Sequence, residues 1–191
     1  LQWNPAAISV FDDKILNFDI GLFFSSPELS SSYGPMSGVT EDDRGVSPMP
    51  ALAMVWGKED SKHTFGVSVF GISGFGVTFP ENMSNPINMP QPNGFGRVES
   101  DYMLLQIGLT WAYELSDNFS IGIEPTINYG ALEMEPNPLA MPDFPVNLGG
   151  GGKGYPKSDK ASQIGIGAQI GLFYESDGGL KLGASYKTEQ D

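Results

Sequence analysis

Apolar and polar residues alternate along most of this chain. From Met103 onward, Met103, Leu105, Ile107, Leu109, Trp111 and Tyr113 are apolar, and Leu104, Gln106, Gly108, Thr110 and Ala112 stand between them. A period of two predicts a β-strand with one greasy face and one small or polar face. After Ser116-Asp117-Asn118 the pattern resumes, with Phe119, Ile121, Ile123, Pro125, Ile127 and Tyr129 set against Ser120, Gly122, Glu124, Thr126 and Asn128. The two runs and their short turn read as a hairpin. A second hairpin follows, with Ile164 to Tyr174, the turn Asp177-Gly178-Gly179, and Leu180 to Tyr186. Earlier, Leu16, Phe18, Ile20, Leu22 and Phe24 mark a first strand, Pro50 to Trp56 a short second one, and a third begins at Thr64. The expectation is an all-β antiparallel, up-and-down set of about seven strands, with no amphipathic helix.

Connection lengths alternate as well. The links 57–63, 115–118 and 175–179 are short, whereas 25–49, 80–101 and 131–161 are long and rich in Pro, Gly, Ser and Asn. Long loops of this kind are uncommon inside compact soluble domains. Short turns at one end and long loops at the other are the pattern of a transmembrane β-barrel, with periplasmic turns and extracellular loops. Phe119 to Tyr129 matches the roughly 9–11 residues a tilted strand needs to cross hydrocarbon. Trp56, Trp111, Tyr113, Phe119 and Tyr174 fall beside the short turns, and Phe24, Tyr129 and Tyr186 at the opposite strand ends, as two interfacial girdles would. The competing architecture is a soluble β-sandwich binding module, but its water-facing side would carry many more charges than these Gly, Ser, Thr and Gln faces.

Composition narrows the function classes. Ten Lys and Arg face 23 Asp and Glu, a net charge of −13, which argues against any nucleic-acid partner. With no cysteine and a single histidine, disulfide scaffolds, thiol catalysis and Cys/His metal centres drop out, and no cofactor is expected. Only 17% of residues are charged, below the roughly 25% of soluble domains. His63 lies in a Lys/Asp/Ser turn and reads as a solvated residue, not a catalytic base. Glu41-Asp42-Asp43 lacks the spacing and glycine of a calcium loop. No enzyme is indicated.

Seven strands cannot close by up-and-down pairing, so the chain reads as part of a larger barrel. Asn4-Pro5-Ala6 with Phe11-Asp12, then Met49-Pro50-Ala51, Phe65-Gly66-Val67 and Gly76-Val77-Thr78-Phe79, resemble the long-chain fatty acid transporters of bacterial outer membranes, the FadL/TodX group. Leu109 to Leu115 with Phe119 to Ile123, and Gly171 to Glu175 with Leu182 to Lys187, resemble two further hairpins of that family in order and spacing. The resemblance implies a monomeric 14-stranded barrel in the outer membrane, of which this chain is about the N-terminal half. Residues 1–12 would be the end of an N-terminal hatch carrying Asn4, Pro5 and Ala6, and 13–191 part of the barrel. It further implies passive transport of long-chain fatty acids or other hydrophobic molecules, such as aromatic hydrocarbons, leaving through the barrel wall among membrane lipid and lipopolysaccharide. A structural or adhesin-type barrel is the alternative. The family's carboxylate-holding arginine has no counterpart in Tyr129-Gly130-Ala131-Leu132-Glu133.

Candidate positions follow. Glu124, Lys181 and Lys187 alternate onto the lumen side, where they pair or orient a ligand. Loop residues Leu139, Met141 and Phe144 offer a lid over the mouth or a first groove for cargo. On the third strand the period breaks. Phe65, Val67 and Val69 set an outward phase that Phe75, Val77 and Phe79 keep, but Gly71 and Ser73 occupy outward positions between them, with Phe70 and Ile72 inward. Gly71, Gly74 and Gly76 within six residues suggest a bulge or kink. The expectation is a lateral gap at these glycines, with Phe70, Ile72 and Phe75 contacting cargo.

Overall fold

The structure is a computed structural model that describes residues 2–143 and 154–190. Its strands are β1 (Lys14–Phe24), β2 (Glu28–Tyr33), β3 (Met36–Glu41), β4 (Val46–Trp56), β5 (His63–Phe79), β6 (Val98–Ser116), β7 (Phe119–Glu135), β8 (Ala161–Glu175) and β9 (Lys181–Lys187). Seven of them form one antiparallel sheet in the order β1-β4-β5-β6-β7-β8-β9, curled as half of a barrel, while β2 and β3 make a separate hairpin in the β1–β4 connection.

Burial is inverted relative to a soluble sheet. Ile123 and Ile127 are 42% and 47% exposed, whereas Glu124, Thr126 and Asn128 beside them are almost fully buried on the concave face. The exposed side continues through Leu16, Phe18, Leu109, Ile164, Ile166 and Ile170, a band larger than water tolerates but suited to hydrocarbon. The soluble-sandwich alternative fails on this point.

A short 3₁₀ helix, Pro5–Val10, lies against the concave face of β5 to β8. Asn4 caps it, accepting from the Ala6 amide at 2.9 Å and donating to the Leu172 carbonyl at 3.0 Å. Two inward glycines make room for it: a Cβ on Gly171 would stand 2.0 Å from Asn4 Oδ1, and one on Gly122 2.4 Å from the Ala6 nitrogen. The small inward face is therefore a seat for this segment, and Ile8 packs there with Val55 and Ala112.

Several boundaries differ from the sequence reading. β4 starts at Val46 instead of Pro50, so the segment 25–49 holds a hairpin and the beginning of a wall strand. Likewise β6 begins at Val98, and β7 runs to Glu135. These strands pair beyond the length that hydrocarbon requires, where the hydrophobic period no longer reports them. His63 is also not a free turn residue. It opens β5, its Nδ1 accepts from Trp111 Nε1 at 3.1 Å, and its ring lies against Trp111 and Tyr113 in the aromatic girdle.

Candidate functional site

The wall splits between β4 and β5. Their ladder runs from Trp56 opposite Phe65 to Ala51 opposite Phe70 and stops, although β4 stays paired with β1 up to Val46, and β5 with β6 up to Phe79. Two local causes coincide. Pro50 and Pro48 follow the last paired residue and have no N–H to carry a ladder. On the other strand, the β5–β6 register shifts between Gly71 and Ser73, leaving Ile72 as the extra residue of a bulge.

The bulge turns the faces of β5 over. Phe70 sits opposite the buried, inward Gln106, and Gly71 opposite the outward Leu105. Past Ile72 the phase is reversed, so Ser73 opposes Leu104, and Phe75 opposes Tyr102 with ring centroids 5.1 Å apart, on the concave side. Gly74 and Gly76 are outward. This corrects the expected phase: Phe75, Val77 and Phe79 do not continue the outward row of Phe65, Val67 and Val69, because one unpaired residue shifts every later side chain by one face. Phe70, Ile72 and Phe75 border the kink from inside, and none of them lines the opening itself.

The opening is a cavity of about 430 Å³. On one side stand Phe23, Ser47 and Met49, which belong to the inner face of β1 and β4; on the other stand Gly71, Gly74, Met103 and Leu105, which belong to the outer face of β5 and β6. Val46, Pro48 and Pro50 from the outer face of β4, and Ser73 and Tyr102 from the inner face of β5 and β6, also border the cavity, so residues of both faces of the wall meet at the unpaired edge. Pro50, at its lower edge, is six residues above Trp56, about 15 Å for a strand tilted by roughly 40°. That sets the cavity toward the loop end of the strands.

Its upper edge is tied. The Asp43 amide donates to the Thr78 carbonyl at 2.8 Å, and the Thr78 amide donates to Asp42 Oδ1 at 2.6 Å. The acidic run Glu41-Asp42-Asp43 is thus a strand-to-strand fastener, and no group of three metal-capable side chains occurs among the described residues. From this tie Arg44 crosses the outer face of β5 and pairs with Asp101 on β6 at 2.9 Å, with Nε donating to Ser47 at 3.1 Å. Gly76 makes room under it: a Cβ there would lie 1.9 Å from Arg44 Nη1, which could swing away, and 2.6 Å from the Ser100 carbonyl oxygen, a backbone atom that is harder to move. At Gly71 and Gly74 the nearest atoms to an added Cβ are 3.5 Å and 3.6 Å away, so a Cβ fits at those two positions in ordinary van der Waals contact.

Below the window the concave face is polar. Ser68, Gln106, Glu124, Thr126, Asn128 and Gln169 are all buried there. Glu124 accepts from the Thr110 hydroxyl, Lys187 Nζ donates to Gln106, and Lys181 instead pairs with Glu175 at 2.9 Å near the turn. Above it, a second cavity of about 620 Å³ lies between the β2–β3 hairpin and the 80–97 link, with Tyr33, Met36, Ile87, Met89, Phe95 and Tyr155 around it. Asn85 anchors this loop pair, donating to the Leu29 carbonyl at 2.8 Å and to Thr40 Oγ1 at 2.9 Å. Leu139 and Met141 are 87% and 91% exposed and line neither cavity; Phe144 lies outside the described residues.

Sequence reasoning missed Phe23, Val46, Pro48, Met49 and Pro50 as window residues. A signal was present: Val46, Pro48, Pro50 and Leu52 alternate in register with Phe24, Leu22, Ile20 and Phe18. Two prolines disguised it as loop.

The family described as outer membrane protein transport protein (OMPP1/FadL/TodX) matches residues 1–191. No curated protein matches the chain. Among solved structures, it is similar to the Ralstonia pickettii toluene transporter TbuX, at 17% identity and a TM-score of 0.67 over 98% of this chain and 51% of that one. It is also similar to a Pseudomonas aeruginosa FadL homologue (15%, TM-score 0.62, 98% and 46% covered) and to the P. putida toluene transporter TodX (15%, 0.62, 97% and 49%). The chain therefore spans about half the length of these structures. With the inverted sheet and the matching family model together, the chain belongs to the OMPP1/FadL/TodX family of outer membrane proteins.

Proposed function

We propose that the protein carries hydrophobic molecules passively across the bacterial outer membrane, and that they leave sideways through the window between β4 and β5. The observation that carries this reading is the cavity at the break in the β4–β5 ladder, which inner-face residues such as Phe23 and Met49 and outer-face residues such as Gly71 and Leu105 border together. Straight passage is unfavourable for such cargo, because the lumen beneath is lined by buried polar side chains and occupied by Pro5–Val10, read here as the end of a plug. The window, by contrast, offers Phe23, Met49, Met103 and Leu105. No step of chemistry on the cargo is needed, since partition into the membrane drives release. We take the working unit to be a monomer.

Uptake by cells producing the full-length protein tests this. Gly71→Val with Gly74→Val adds branched side chains into the window at two positions with room for a Cβ. The double variant is expected to reach the outer membrane folded and to lose most uptake of hydrophobic cargo. Parental uptake by this variant removes the window from the mechanism and favours a structural or adhesin role.

A further inference from the structure

Two cations at the extracellular end are spent on carboxylates. Arg97 pairs with Glu99 at 2.9 Å and with Glu135 at 3.8 Å; Lys157 pairs with Glu133 at 2.7 Å and with Glu99 at 3.3 Å. At the window itself Arg44 is the cation held in a fixed seat, pinned between Gly76 and Ser47, and Asp101 neutralises it. Lys160 also borders the window, but its side chain is exposed, and a single ion pair in water is worth little. Directly before Arg44 come Glu41, Asp42 and Asp43, within a chain of net charge −13, so the field at the window disfavours anions.

Resting on the window reading above, we infer that Asp101 is a specificity-determining residue: by neutralising Arg44 at the rim it makes the window a passage for uncharged hydrophobic molecules and rejects carboxylate-headed ones. The apolar wall does not distinguish the two classes, because a fatty acid and its ester share a chain. The headgroup does. An anion reaching the rim meets a guanidinium whose charge is already compensated and a carboxylate that repels it, and it has left water without a replacement partner. An ester or an aromatic hydrocarbon loses little on the same path.

The pair dodecanoate and methyl dodecanoate isolates that charge. Uptake of each is measured in cells producing the full-length protein, at a pH where the acid is ionised and at matched surface amounts. The unaltered protein is expected to carry the ester faster. Asp101→Asn keeps the side-chain shape and an acceptor oxygen for Arg44 but frees its charge, and it is expected to raise the ratio of dodecanoate to ester uptake roughly tenfold, the size of one charge-assisted hydrogen bond. Arg44→Gln leaves Asp101 uncompensated and is expected to lower dodecanoate uptake further. Opposite movements of the acid-to-ester ratio in the two variants are the signature, since a merely distorted window would move both the same way. Equal uptake of acid and ester by the unaltered protein overturns the inference, as does a ratio unmoved by Asp101→Asn. The Gly71→Val, Gly74→Val variant in the same assay separates this from failure of the window: if it leaves ester uptake intact, the window reading falls, and if it blocks ester while Asp101→Asn admits no acid, only the role of Asp101 does.

Discussion

The two halves of β5 have opposite fates. From Phe65 to Phe70 the strand is paired on both sides, with Phe65 to lipid and Ser68 buried inward. From Gly71 to Phe79 it is paired only with β6, its faces are reversed, and its other edge borders the window. Both halves carry two phenylalanines, but the first has one glycine and the second three. The partner strand separates them as well: Ala51 to Trp56 offers a full set of ladder groups, while Pro48 and Pro50 do not. A hole in a barrel wall thus requires defects on two strands at the same height. A bulge alone would have been bridged by a neighbour able to follow it.

The comparison can be broken most severely in the intact wall. Arginine at Ile123, outward and near mid-membrane, is expected to cost about 2–4 kcal/mol of insertion free energy, read as loss of folded protein from the outer membrane. Glu124→Gln, one residue along on the concave face, keeps volume and acceptor and is expected to cost less than about 1 kcal/mol. Equal damage at both positions would contradict the face assignment. Next comes the seat of the N-terminal segment: Gly171→Val drives a side chain into Asn4 and Pro5 and should destabilise by about 1–3 kcal/mol in thermal unfolding of the detergent-solubilised protein. Because this seat lies below the window, its loss should also loosen the polar lumen.

Repairing the split is expected to have a gentler effect on folding and a clear one on transport. Pro48→Ala with Pro50→Ala returns two N–H groups to β4, so the ladder with β5 can extend past Ala51 and narrow the window. Ester uptake should fall, by less than in the Gly71→Val, Gly74→Val variant, since the bulge at Ile72 still opposes pairing. A rise would mean the prolines hold the edge apart from something other than β5.

The smallest effect belongs to the charged rim. Burial raises the pKa of Glu99, but hydrogen bonds and charge from Arg97 and Lys157 outweigh it and hold the carboxyl below its ordinary range. The pull of Glu133 holds the Lys157 ammonium above its usual range. A depressed carboxyl stabilises above its unfolded pKa and loses that contribution as pH falls through the folded one. Acidification through the carboxylate range is therefore expected to loosen the tie between the 136–160 link and β6, seen as faster proteolysis there, with the wall unaffected. Lys157→Gln should remove most of that pH dependence.

Period two was enough to read the wall from Leu109 to Tyr174, because lipid outside and polar groups inside impose opposite demands on adjacent residues, and that contrast is written directly into the sequence. The glycines at 71, 74 and 76 were legible as a disturbance on the same grounds. Tertiary structure decided the rest. Which side of Ile72 changed face depends on a register shift against β6, and a shift of one residue leaves no trace in composition. That Gly71 and Gly74 line the passage while Gly76 seats a guanidinium depends on Arg44, thirty-two positions away in sequence and in a segment that reads as loop. Strand alternation is a local consequence of one residue's surroundings; a window needs two strands to fail together, and only their pairing brings Pro50 opposite Gly71.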